Sequence, residues 1–67
     1  MSDVARVTEI SARSTTGFED AVRVGIERAS STLRNVQSAW VKEQQIKVTD
    51  GQISEYQVNL LVTFVLE

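Results

Sequence analysis

The stretch ISEYQVNLLVTFVLE, residues 53–67, decides the architecture. Tyr56, Val58, Leu60, Val62, Phe64 and Leu66 share one parity, and Glu55, Gln57, Asn59, Leu61, Thr63 and Val65 share the other. Side chains of a strand point alternately to opposite faces, so this is a long strand with one apolar face and one mixed face. The apolar face requires a helix or another sheet. The mixed face, with Leu61 and Val65 among amides and a hydroxyl, suits a docked subunit or ligand.

Working backwards, Asp50-Gly51 is a two-residue hairpin signal, because a type I′ turn needs positive φ at both central positions. It joins the long strand to another over Val36–Val48. With Asp50 and Gly51 as the turn, Ala39 opposes Val62 and Val41 opposes Leu60 on the apolar side, while Ser38 opposes Thr63, Trp40 opposes Leu61 and Gln44 opposes Gln57 on the mixed side. Glu43 and Gln45 then fall on the nominally apolar side, so this end of the strand is expected to extend past the helix.

Upstream, Phe18, Ala21, Val22, Gly25, Ile26, Ala29 and Leu33 recur at spacings of three and four, the stripe of an amphipathic helix. Thr16 with Glu19 fits a capping box, which starts the helix near Thr16 or Gly17, and Asn35 is a plausible stop. Glu19 and Arg23 stand in the favourable i, i+4 order. Gly25 lies on the apolar stripe, where it costs about 1 kcal/mol of helix propensity relative to alanine; either a close backbone approach offsets that cost or the position is tolerant. Residues 4–11, rich in β-branched types, read as a first strand. The order is β-α-β-β in one domain over residues 1–67, an α+β fold with a three-stranded antiparallel sheet and one helix packed on it.

A chain of 67 residues lies near the lower limit for a single stabilising core, and it has no cysteine or histidine to supply a disulfide or a structural zinc. Good packing and oligomerisation are the remaining remedies, and oligomerisation is the favoured one. The net charge of −2, with seven basic residues spread along the chain, argues against nucleic acid, which requires clustered Lys and Arg. No apolar run approaches twenty residues and no charged-then-apolar leader opens the chain, so no membrane partner is expected and the cytoplasm is the expected location. Without histidine or cysteine there is no Ser-His-Asp triad, no Cys/His pair and no imidazole metal site. Gly17, Gly25 and Gly51 are too scattered to cradle a phosphate. No catalytic residues are assigned, and the reading is not an enzyme. Carboxylates gathered on a symmetry axis could hold a cation such as Ca²⁺, but no metal site can be named.

The order of elements and several motifs resemble the dodecins: VTEI-x3-S-x2-GFEDAV at Val7–Val22, ERAS-x-TLR at Glu27–Arg34, VKE at Val41–Glu43, and EYQV-x-L-x-V-x-F-x-LE at Glu55–Glu67. The resemblance implies a hollow homododecamer that binds a flavin, riboflavin or FMN. It also implies that the glutamine of the YQV motif, Gln57 here, bonds the polar edge of the ring. The flavin-stacking tryptophan position is occupied by Ser38, which offers no π-face. The chain therefore looks closer to dodecin-like proteins that keep the assembly and lack that tryptophan. Trp40 stands two residues further on the same face, either as a platform in a shifted pocket or as an intersubunit plug. Gln57, Ser38 and Trp40 are the candidate binding residues. Two readings stay open: a shell that binds and stores a small heteroaromatic molecule, and a structural or protein-interaction oligomer without flavin, which could bind a cation.

Overall fold

The computed structural model describes residues 2–67. Strand β1 (Ala5–Ser14) leads into helix α1 (Phe18–Thr32), followed by β2 (Val36–Thr49) and β3 (Gln52–Val65). The sheet order is β1-β3-β2, and β3 pairs antiparallel with both neighbours. The strand with the cleanest alternation thus takes the centre, where both of its edges are hydrogen-bonded.

The apolar parity of β3 forms the core. Val58, Leu60 and Val62 are fully buried beneath α1, together with Ala12, Ala21 and Ala29, and Ile10, Phe18, Val22, Ile26, Leu33 and Val36 pack around them. The ring of Phe18 meets that of Tyr56 edge to face at 5.1 Å. Helix and sheet come close together at Gly25. A Cβ placed there would lie 2.9 Å from Leu60 Cδ1 and 3.0 Å from Ala12 Cβ. The close contact is with the side chains of Leu60 and Ala12 rather than with another backbone, and it accounts for a glycine in mid-helix. It also explains why β1 runs three residues beyond the expected 4–11: Ala12 and Ser14, which carry no β-branched signal, are small, buried residues on the helix side.

The helix start differs from the capping box expected of Thr16 and Glu19. Gly17 is the N-cap and no side chain caps the helix. Asp20 reaches back instead: Ser14 Oγ donates to Asp20 Oδ2 at 2.7 Å, and the backbone N–H of Thr16 donates to Ser14 Oγ at 2.9 Å. With the cap one residue later than Thr16, Asp20 rather than Glu19 occupies the third helical position. Arg23 bonds Asp20 at 2.6 Å and Glu27 at 2.8 Å, not Glu19. The helix ends at Thr32, three residues before Asn35. Asn35, at φ 60°, turns the chain into β2 and its carbonyl accepts the N–H of Val65 at 3.1 Å.

Asp50 and Gly51 both have positive φ, 54° and 75°, as the hairpin reading requires. The register follows the expected pairing from Ser38 to Val41 and again at the turn, but between them it slips by one residue. Lys42 is an extra residue on β2, and Ser54 restores the register on β3. A bulge of this kind sets two residues opposite one and so shifts the pairing parity beyond it by one residue. Gln45, not Gln44, therefore opposes Gln57, and Glu43 opposes Asn59, so the two residues expected on the apolar side belong to the mixed face. Helix α1 covers β1 and β3 and leaves β2 open, with Gln37–Thr49 exposed throughout. The molecule is correspondingly long, 52 × 19 × 13 Å, and Val41, Ile46, Val48 and Ile53 are exposed along the hairpin.

Two variants test this packing. Gly25→Val should destabilise the protein by about 2 kcal/mol in denaturant unfolding, because the added methyls have no room against Ala12; unchanged stability would contradict the contact. The Ser14 hydroxyl and the Arg23 guanidinium hold the Asp20 carboxyl below its ordinary value. A lowered folded-state pKa stabilises above the ordinary carboxylate range, and that contribution is lost as pH falls through the lowered value. The penalty of Asp20→Asn should therefore be full at neutral pH and shrink on acidification. A penalty independent of pH would show that the charge is irrelevant.

Candidate functional site

The mixed face is a three-strand platform in rows, read across β1, β3 and β2. Val7, Thr63 and Ser38 form one row, then Glu9, Leu61 and Trp40, then Ser11, Asn59 and Glu43, then Arg13, Gln57 and Gln45. One end carries the apolar Val7, Leu61 and Trp40 among two hydroxyls and Glu9, and the other is a hydrogen-bonded polar string. Arg13 Nε donates to Gln57 Oε1 at 3.2 Å, and Gln57 Nε2 donates to Asn59 Oδ1 at 3.2 Å. Ser11 Oγ also donates to Asn59 Oδ1, at 2.7 Å, and Asn59 Nδ2 donates to Glu43 Oε1 at 2.8 Å.

Six charged side chains surround these groups: Glu9, Glu43 and Glu55 against Arg13, Lys42 and Lys47. Lys42 pairs with Glu9 at 3.3 Å and Arg13 with Glu55 at 3.7 Å. Both pairs are open to solvent, with Glu55 partly covered, and contribute little to stability. Their balance leaves the face without net charge, so it does not repel a copy of itself.

The polar string lines a shallow hollow of about 290 Å³ bounded by Glu43, Gln44, Gln45, Gln57 and Asn59. A second hollow of about 460 Å³, walled by Arg13, Ile46, Lys47, Val48 and Glu55, shares Gln45 and Gln57 with it. Neighbouring amides offer alternating donors and acceptors, which suit the edge of a flat ring that carries C=O and N–H groups.

The three residues chosen from the sequence lie on this one face but do not meet. Trp40 stands opposite Leu61, four residues along β3 from Gln57, roughly 13 Å at about 3.3 Å per residue. Ser38 stands opposite Thr63, six residues away, roughly 20 Å. Trp40 is 65% exposed and joins none of the side-chain hydrogen bonds among the described residues. Arg13, Gln45 and Asn59, with Glu43, are the partners that sequence reading missed. The bulge at Lys42 puts Glu43 and Gln45 there, and the only signal for it was the misfit of two polar residues on an apolar parity.

Among the described residues, no three Asp or Glu side chains gather where a metal ion could sit, and no helix is long and apolar enough to cross a membrane.

A split β-α-β-β sheet that keeps one face for its helix and leaves the other as a half-polar platform defines a small binding or assembly module. The chain belongs to the dodecin family, whose model matches residues 4–67. It is 36% identical to the dodecin of Thermus thermophilus over 67 residues, covering 100% of this chain and 97% of that protein. The dodecin structure from Streptomyces davaonensis superposes with a TM-score of 0.94 at 40% identity, covering 100% of this chain and 98% of the other. The calcium dodecin of Mycobacterium tuberculosis, described as a calcium-chelating immunodominant antigen with a novel calcium-binding site, superposes with a TM-score of 0.82 at 31% identity, covering 96% and 91% of the two chains.

Proposed function

We propose that this chain is the subunit of a cytoplasmic hollow homododecamer that binds and stores a small flat heteroaromatic molecule, without catalysing a reaction and with little affinity for flavin. The observation that carries this reading is the separation of Ser38 and Gln57 on one face. No tricyclic ring spans roughly 20 Å along a strand, so two such residues serve one ligand only if they come from different copies. An antiparallel twofold packing of mixed face on mixed face brings Ser38 of one copy to Gln57 and Gln45 of the other. A twofold axis parallel to the strands would leave each row level with itself. The same packing covers Trp40 and Leu61, which supports oligomerisation in a chain with so small a core.

The ligand in such a pocket meets amide groups at its edge and a serine where a stacking ring would be. Amides bond any heteroaromatic ring with suitable edges, while the loss of the aromatic face removes about 0.5–1.5 kcal/mol per ring pair beyond area burial. Flavin binding is weakened accordingly. A calcium role, as named for the M. tuberculosis relative, would require carboxylates contributed by several copies.

Riboflavin titrations of the unmodified chain and of Ser38→Trp test the reading, with native mass spectrometry of the same samples. Twelve copies are expected in both. With twofold-related rings on both sides of the flavin, the substitution should tighten binding by more than tenfold, each tenfold being about 1.4 kcal/mol. Tight, fully quenched flavin in the unmodified dodecamer would contradict the weak-flavin reading, and a monomer would contradict the assembly.

A further inference from the structure

We infer that Trp40 is an intersubunit anchor that packs on the Glu43–Asn59 pair of a twofold-related copy, and is not a platform for the ligand. The inference rests on the antiparallel packing proposed above and fixes what that packing does with the largest exposed side chain on the face.

The row spacing sets the contact. Ser38 is level with Thr63, and Gln45 is level with Gln57. A twofold axis that lays Ser38 over the partner's Gln57 crosses β3 midway between rows 63 and 57, level with Leu60. Leu61 and Asn59 lie one residue on either side of that level. Trp40, opposite Leu61, therefore faces Asn59 of the partner subunit and Glu43 of the partner subunit, and the symmetry makes the contact twice.

The chemistry at that position is complementary. Asn59 Nδ2 already donates to Glu43 Oε1 at 2.8 Å, which ties the two side chains into one polar plate and leaves Glu43 Oε2 free to accept. The indole Nε1–H is a donor with no acceptor role and no partner among the described residues. Lys42, the bulged residue beside Trp40, brings a positive charge to the side the partner's Glu43 approaches. Stacked sheets lie about 10 Å apart, which a tryptophan fills when it meets short side chains bound flat to their own sheet. A large ring with a polar edge, central in a patch that loses water, is also the side-chain type that dominates interface energetics. Each Trp40 then closes the space between the two symmetry-related Ser38–Gln57 sites, confining the ligand to the outer part of the interface.

Trp40 is the only tryptophan, so intrinsic fluorescence reports this position alone. In the assembled protein its emission should be blue-shifted and acrylamide should quench it several-fold less efficiently than free N-acetyltryptophanamide, with the mass of the same sample read by native mass spectrometry. Glu43→Gln, which keeps the shape and an acceptor, should preserve the protection. Glu43→Lys, which sets a cation against Lys42 and removes the acceptor, should expose the indole and return quenching towards the free value. An assembled wild type whose tryptophan quenches as freely as the model compound overturns the inference and leaves the oligomer reading intact, as does an assembled Glu43→Lys variant with full protection. A monomeric wild type with an exposed tryptophan overturns both.

Discussion

Everything in this molecule depends on how closely one helix can sit on two strands. The contact of Gly25 with Leu60 and Ala12 lets α1 settle onto β1 and β3, and the buried set of three alanines, two valines and a leucine follows from it. Small residues make the approach possible and also limit what it can bury. A helix placed that low over two strands cannot also reach the third, so β2 stays open along nearly its whole length. The exposure of β2 is thus a consequence of the core's geometry rather than a separate feature of the hairpin.

The opposite face of the sheet is open as well. It carries an exposed tryptophan, a half-buried leucine, a hydrogen-bonded run of amides and evenly matched charges. Such a surface is too apolar at one end to remain in water without a partner and too polar at the other to be a core. Membership of the dodecin family and close superposition on dodecin structures agree with a fold whose sheet serves two purposes. The same strands carry the core on one side and the amide and charged groups on the other, so a single register controls both.

That register marks the limit of what could be read from the sequence. The parity of residues 53–67, the Asp50-Gly51 turn and the three-and-four spacing of α1 were sufficient for the element order, the core and the face carrying Ser38, Trp40 and Gln57. The two periodicities repeat over many residues and the turn dipeptide is a local signal of its own, so no single irregularity could hide them. The bulge at Lys42 is a single inserted residue whose one trace in the sequence is the misfit of Glu43 and Gln45 on an apolar parity, and missing it displaced both to the wrong face. The helix cap was misread for a related reason. Thr16 and Glu19 have the right types at the right spacing, but the backbone turns into the helix at Gly17, which makes Asp20 and Ser14 the bonded pair. In both cases a one-residue shift of the backbone outweighed a correct side-chain pattern.

The central claim is that this fold is completed by copies of itself. The most direct test is the dependence of unfolding on protein concentration, because a protein stabilised by association gains stability with concentration by mass action, whereas a self-sufficient monomer does not. Equilibrium denaturation followed by circular dichroism should show a midpoint that rises steadily as the concentration is raised. A cooperative transition with the same midpoint at every concentration would show that the small core suffices alone and would contradict the account.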